Sequence, residues 1–307
     1  MSLALRLLNL WLARVEKPLL RRADPMRLRD SFERMGRTLF RPPRGTVCDR
    51  VTLGGVRALR VTGPDVDPEA AGRLLYLHGG AFVMGSARAY AGMAARLSAA
   101  LGLPAIVPDY RLAPEHPFPA ALQDAGKVWA ALSADVGAGR IVLGGDSAGG
   151  NLALSLLGRL ADEGLPGPAA TFAFSPLTDF RPARLSGAAG SRSANEAVDP
   201  MLPVSRLTEV RRLYLAGADP ADPRASPVLG RYGGAGPVWL AAGTTEILLD
   251  DMREMAARLR ADGVAVETHL VDAAPHVWTF FPGLPESRET LAALARWAQE
   301  VGAVDSR

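Results

Sequence analysis

From residue 74 onward the chain repeats one rhythm, in which a short apolar run bounded by turn residues is followed by a stretch with helical spacing. The runs are Leu74 to Leu77, Ala105 to Pro108, Ile141 to Leu143, Thr171 to Phe174, Val238 to Ala241 and Val266 to Val271. Helical stretches fall near 88–101, 118–133, 148–163, 247–261 and 286–300. Strands covered on both faces read as continuous apolar runs, and parallel strands need crossovers long enough to hold a helix. The pattern therefore predicts an α/β fold with a mainly parallel sheet and helices on both faces. Upstream, Val47 to Leu53 and Val56 to Val61 alternate around Gly54-Gly55, which predicts an antiparallel hairpin. Residues 176–235 break the rhythm: they are rich in Pro, Gly, Arg and Asp, with one predicted helix from Ser205 to Leu215. That is too long for an ordinary connection and implies an insertion over the carboxyl edge of the sheet. A chain of 307 residues can hold all of this in one large layered structure.

The N-terminus follows a different period. Leu5, Leu8, Trp11, Leu12, Val15 and Leu19 recur at three- and four-residue spacing, with Arg6, Arg14, Lys17 and Arg21 between them, so Ser2 to Arg22 reads as an amphipathic helix. A second helix is predicted over Pro25 to Phe40. The plain expectation is packing on the body of the protein; the sharper one is a basic helix lying weakly on a membrane surface. No stretch reaches the roughly 20 apolar residues needed to span a bilayer. Leu3 to Leu12 is broken by Arg6 and lacks a small-residue cleavage signal, so neither a transmembrane helix nor a signal peptide is expected.

Composition removes several function classes. Charges of both signs alternate and no Lys/Arg run is interleaved with aromatics, so a net charge of +3 does not amount to a nucleic-acid footprint. The single cysteine, Cys48, permits no intrachain disulfide, Cys-rich zinc site or iron–sulfur cluster, and fits a reducing cytoplasm. No metal or cofactor is expected.

The chemistry lies in Gly145-Asp146-Ser147-Ala148-Gly149, a G-x-S-x-G motif between a predicted strand and a predicted helix. A serine on such a turn has a strained backbone, needs small neighbours, and faces a helix N-terminus that favours negative charge. Upstream, His78-Gly79-Gly80-Ala81-Phe82 follows the Leu74 to Leu77 strand. The N–H groups of Gly79, Gly80 and Ala81 form, with that of Ala148, the pool of donors for an oxyanion. Four histidines are present. His78 belongs to the glycine loop, His116 sits between prolines upstream of the serine, and His269 falls inside a strand. His276, in the loop after the last strand, is left as the general base. The nucleophile elbow of α/β hydrolases is followed by acid and then histidine. Glu246 after the Val238 to Ala241 strand is the expected acid, and Asp250 is the alternative, because Asp250 and Asp251 fall where acids commonly favour a helix N-terminus.

These motifs give the chain a specific resemblance. It resembles the hormone-sensitive-lipase-like, or bacterial family IV, esterases of the α/β-hydrolase superfamily in His78 to Phe82, Asp109 to Ala120, Gly145 to Gly150 and Ala225-Ser226-Pro227. The similarity runs from about residue 45 to the C-terminus. It implies an α/β-hydrolase core over 46–175 and 236–307, with residues 1–45 and 176–235 as a cap. Two departures stand out: Ala81 replaces the usual third glycine, and Glu246-Ile247-Leu248 stands where the family more often has Asp-Pro-Leu. Arg111 is expected to pair internally.

The expected activity is hydrolysis of short to medium acyl esters through an acyl-enzyme on Ser147. Phe82, Asp146, Leu177, Met201, Leu202 and Trp278 are candidate substrate contacts, and the expected partner is a small-molecule ester. Amide cleavage of the formamidase kind, acyl transfer, and a non-catalytic ligand-binding role are the alternatives, and His276 argues against the last. The oligomeric state is open, a homodimer being one option.

Overall fold

The computed structural model describes residues 1–185 and 190–305. Positions 186–189 of the predicted insertion therefore lie outside the described residues. Eight strands form one sheet: β1 (Val47–Leu53), β2 (Val56–Thr62), β3 (Arg73–Leu77), β4 (Ala105–Pro108), β5 (Ile141–Asp146), β6 (Ala170–Phe174), β7 (Val238–Gly243) and β8 (Val266–Val271). Their spatial order is β1-β2-β4-β3-β5-β6-β7-β8. Strand β2 runs antiparallel to both neighbours, and β3 to β8 are mutually parallel. The Gly54-Gly55 hairpin is present, both glycines having positive φ.

Eleven α-helices are found among the described residues: α1 (Leu3–Trp11), α2 (Lys17–Arg22), α3 (Pro25–Thr38), α4 (Ala91–Leu101), α5 (Ala120–Val136), α6 (Ala148–Asp162), α7 (Pro182–Leu185), α8 (Ser191–Ala194), α9 (Ser205–Leu215), α10 (Leu249–Ala261) and α11 (Pro285–Glu300). Strand geometry sends alternate residues to opposite faces, so the apolar runs feed two cores. On β3, Leu74 and Tyr76 join the core under α4 and α11, while Leu75 and Leu77 join the core under α5 and α6. On β7, Trp239 and Ala241 enter the first core; Val238, Leu240 and Ala242 pack under α10 instead.

The N-terminal helix is one rod broken by a π turn over Leu12–Glu16, which separates α1 from α2. Helix α3 begins as predicted, with the Asp24 carboxylate accepting from the Met26 and Arg27 N–H groups and Pro25 in the first turn. Between β6 and β7 the chain leaves the sheet and forms α7, α8 and α9 over its carboxyl edge. Lys17, one of two lysines, ties α2 to this excursion: its Nζ donates to the carbonyls of Glu196 and Asp199 at 2.5 and 2.7 Å.

Candidate active site

Because β3, β5, β6, β7 and β8 are parallel, their carboxyl ends share one edge, and the loops leaving them converge there. Strand β5 is followed directly by Ser147, whose φ of 51° and ψ of −116° lie outside the regions most L-residues adopt. The turn is held by the Ser147 N–H, which donates to the Phe174 carbonyl at 2.8 Å. Its sharpness also requires Gly149: a Cβ there would sit 1.9 Å from the Leu77 carbonyl oxygen. Helix α6 starts at Ala148, directly behind the serine.

His276 leaves the end of β8 and reaches back to the serine. Its Nε2 lies 2.9 Å from Ser147 Oγ, and its Nδ1 lies 2.8 Å from Glu246 Oε2. Glu246 is fully buried. Its Oε1 accepts from the Gly243 N–H at 2.5 Å and the Ser175 hydroxyl at 2.8 Å, which leaves Oε2 for the imidazole. Pairing with a carboxylate places the proton on Nδ1, so Nε2 is free to accept from the serine. Asp250 plays no part in this chain of contacts. Its Oδ2 accepts from the Ser191 N–H at 2.6 Å and its Oδ1 faces Arg253. Asp251 is a buried partner of Arg192.

The glycine loop is anchored on the elbow. Asp146 is buried and accepts from the Tyr76 hydroxyl at 2.7 Å, the Tyr90 hydroxyl at 3.0 Å and the Gly79 N–H at 2.9 Å. Burial pushes its carboxyl up to about 6, against those donors and the nearby His276. Gly79 is thereby removed from the expected donor pool, because its N–H points into the carboxylate. The N–H groups of Gly80, Ala81 and Ala148 have no acceptor among the described residues, and Gly80 and Ala81 line the cavity with Ser147. Ala81 occupies the left-handed region at φ 55°, which explains why a glycine would be at ease there. His78 is stacked between Tyr90 and Tyr110, and its Nδ1 is 2.8 Å from the Gly79 carbonyl. Burial pushes this imidazole down to about 4, so it is a neutral donor that fixes the loop.

In front of Ser147 lies a cavity of about 410 Å³, within the usual range for small-ligand sites. Its walls include Leu28 and Phe32 of α3, Val210 and Leu213 of α9, and Leu248 and Phe280. Leu177, Met201, Leu202 and Asp146 line it as expected. Phe82 and Trp278 do not. Phe82 is fully buried with its ring 3.6 Å from that of Tyr214, and the Trp278 indole donates to Thr290 inside the core. Both lie just past a loop residue of the site, and the sequence offered no sign that each side chain turns inward. His269 stacks on Trp239, and His116 is exposed and has no side-chain bond to Ser147, His276 or Glu246 among the described residues. Arg111 pairs internally as expected, its Nε and Nη2 meeting Asp124 at 2.8 and 2.9 Å.

Three supporting residues had no motif to reveal them. Ser175, at the end of β6, holds Glu246 and also accepts from the Val277 N–H. The Asn195 amide donates to the Glu246 carbonyl at 2.9 Å. Buried Asp199 receives the Met201 and Leu202 N–H groups on one oxygen and that of Ile247 on the other, joining the cavity wall to the acid loop.

Residues 74–280 match the family model described as the alpha/beta hydrolase fold. The chain is 36% identical over 220 residues to an acetyl-hydrolase of Streptomyces hygroscopicus, covering 71% of this chain and 72% of that protein. It is 31% identical over 253 residues to an esterase of Acinetobacter venetianus, covering 81% and 82%. Among solved structures it is similar to an esterase of the bacterial hormone-sensitive lipase family, with a TM-score of 0.89 and 33% identity over 98% of each chain. It is also similar to EstE5 soaked with p-nitrophenyl butyrate, with a TM-score of 0.91 and 32% identity over 99% of this chain and 100% of that one. The nucleophile turn, the relay behind it and these likenesses agree, and the chain belongs to the α/β-hydrolase family, in its hormone-sensitive-lipase-like branch.

Proposed function

We propose that the protein is a carboxylesterase in which Ser147, His276 and Glu246 form the catalytic triad. The observation that carries this reading is the unbroken relay from Ser147 Oγ through the imidazole to Glu246, set at the floor of an apolar cavity. Ser147 Oγ attacks the ester carbonyl as its proton passes to His276 Nε2. The carbonyl oxygen becomes an oxyanion, for which Gly80, Ala81 and Ala148 supply N–H groups. Collapse breaks the bond to the alcohol, which leaves with the proton from His276, and the acyl group stays on Ser147. Water then repeats the sequence and releases the acid. Glu246 stabilises the imidazolium formed in each half.

Short to medium acyl groups fit the partly enclosed apolar cavity, and similar proteins bear the names acetyl-hydrolase or were soaked with p-nitrophenyl butyrate. A similar structure is also of EstE5 with PMSF, a serine-directed reagent. The test is hydrolysis of p-nitrophenyl butyrate against an aryl formamide by wild type and Ser147→Ala, with PMSF labelling followed by mass spectrometry. Ester turnover should exceed amide turnover, and both turnover and label should vanish in the variant. Label on another residue, or turnover surviving above a trace, would overturn the assignment of Ser147.

A further inference from the structure

We infer that residues 1–45 dock the protein on an anionic lipid surface and seat the rim of the cavity there. Helix α1 is apolar on two opposite sides. Leu5 and Leu12 are buried in the body, whereas Leu3, Leu7 and Leu10, at four- and three-residue spacing, form an outward stripe 72%, 59% and 47% exposed. An apolar stripe on a helix is normally buried against a neighbour, and nothing among the described residues covers the outward one. Trp11, Val15, Leu19, Met26 and Leu39 continue the exposed apolar surface. Trp11, Leu19 and Leu39 also line the cavity, so the cavity opens through this face.

Charge identifies the occupant. Residues 1–45 carry ten arginines and one lysine against four acids, a net +7 in a chain whose total is +3. Arg6 and Arg14 lie one turn either side of Leu10, on the outward stripe itself. Arg6, Arg14, Arg22, Arg27 and Arg34 are exposed and make no ion pair among the described residues. An apolar stripe ringed by unpaired arginines matches a layer with anionic headgroups above acyl chains. A second copy meeting the same face across a twofold axis would set one +7 surface against another. Among the described residues no helix is long and apolar enough to cross a membrane, so the geometry is that of lying on the surface.

The docking itself is independent of the chemistry at Ser147; only the statement about the cavity rim rests on the esterase reading. The experiment is co-sedimentation of the full chain with phosphatidylcholine vesicles, with and without phosphatidylglycerol. Two variants are compared, the triple Leu3→Ser, Leu7→Ser, Leu10→Ser and the double Arg6→Glu, Arg14→Glu. Wild type should bind anionic vesicles at least tenfold more tightly than neutral ones, and less tightly in high salt. Each variant should lose at least tenfold in vesicle binding while hydrolysing soluble p-nitrophenyl butyrate within about twofold of wild type. Equal binding to neutral and anionic vesicles, or variants that bind as wild type does, would overturn the proposal. So would a dimer in vesicle-free solution that the triple variant dissociates, since a second copy would then cover the stripe.

Discussion

Two carboxylates beside Ser147 do different work, and their surroundings say why. Glu246 offers one oxygen to His276, because the other already accepts from Gly243 and Ser175. In Glu246→Gln those two donors hold the amide oxygen, which turns the NH₂ toward Nδ1. The imidazole must then carry its proton on Nε2 and cannot accept one from Ser147. We expect kcat to fall roughly 10³–10⁴-fold with little change in KM. Asp250→Asn, which alters only contacts to Ser191 and Arg253, should stay within a few-fold of wild type. Steady-state kinetics decides between them, and a worse defect in the Asp250 variant would reassign the acid. Asp146 instead holds the glycine loop, and burial raises its carboxyl to about 6. An unfolded aspartate titrates near 3.9. Between about pH 4 and 6 the unfolded chain therefore ionises first, and stability from this group is full below about 4 and lost as the pH rises through 6. That loss is roughly 3 kcal/mol, and Asp146→Asn lacks it. Urea unfolding from pH 4 to 7 should show the variant gaining on wild type as the pH rises; a constant difference would mean that Asp146 titrates alike in both states.

Elements place these residues, and the tightest of them is the turn between β5 and α6. A methyl group on Gly149 would meet the backbone carbonyls of Leu77 and His78 at 1.9 and 2.4 Å, and neither can swing aside as a side chain would. Gly149→Ala should cost at least about 3 kcal/mol, the upper end for overpacking, and lower esterase activity through displacement of the glycine loop. The urea midpoint reads the first effect, and a midpoint unchanged from wild type would mean that β3 and α6 separate freely. This turn was legible in the sequence because its chemistry is local: small residues flank a serine between a strand and a helix. The strands were legible for a similar reason, since burial on both faces leaves continuous apolar runs. Glu246 was harder to separate from Asp250, because two acids four residues apart after the same strand look alike until Gly243 and Ser175 choose a partner. Ser175, Asn195 and Asp199 were invisible, as their roles depend on contacts with residues dozens of positions away. Phe82 and Trp278 were misread because an aromatic beside a catalytic loop can point into the cavity or the core, and only the packing of Tyr214 and Thr290 decides which.

At the scale of the whole molecule, substrate range follows from how two distant segments close over the sheet. Helix α3 and helix α9 supply opposing walls of the cavity, and Lys17 and Asp199 fix the N-terminal helices to the excursion and the excursion to the acid loop. An acyl chain entering from Ser147 gains roughly 0.8 kcal/mol for each methylene it buries until it reaches a wall. A longer chain must then protrude past the rim at Trp11, Leu19 and Leu39 or force α3 and α9 apart, and repacking of that kind typically costs about 1–3 kcal/mol. The gain per methylene and the cost of repacking are of similar size, so the limit should be a maximum at intermediate length, with a decline beyond it. kcat/KM should thus rise from p-nitrophenyl acetate to an intermediate ester and fall by palmitate. Leu213→Trp, which fills the cavity from α9, should move the maximum to a shorter chain while leaving acetate within about twofold, because acetate occupies only the space beside Ser147. The four-ester series of acetate, butyrate, octanoate and palmitate on both proteins measures this, with substrates held below their solubility limits. A wild-type maximum at palmitate, or a maximum that Leu213→Trp leaves in place, would show that the acyl chain does not lie between α3 and α9.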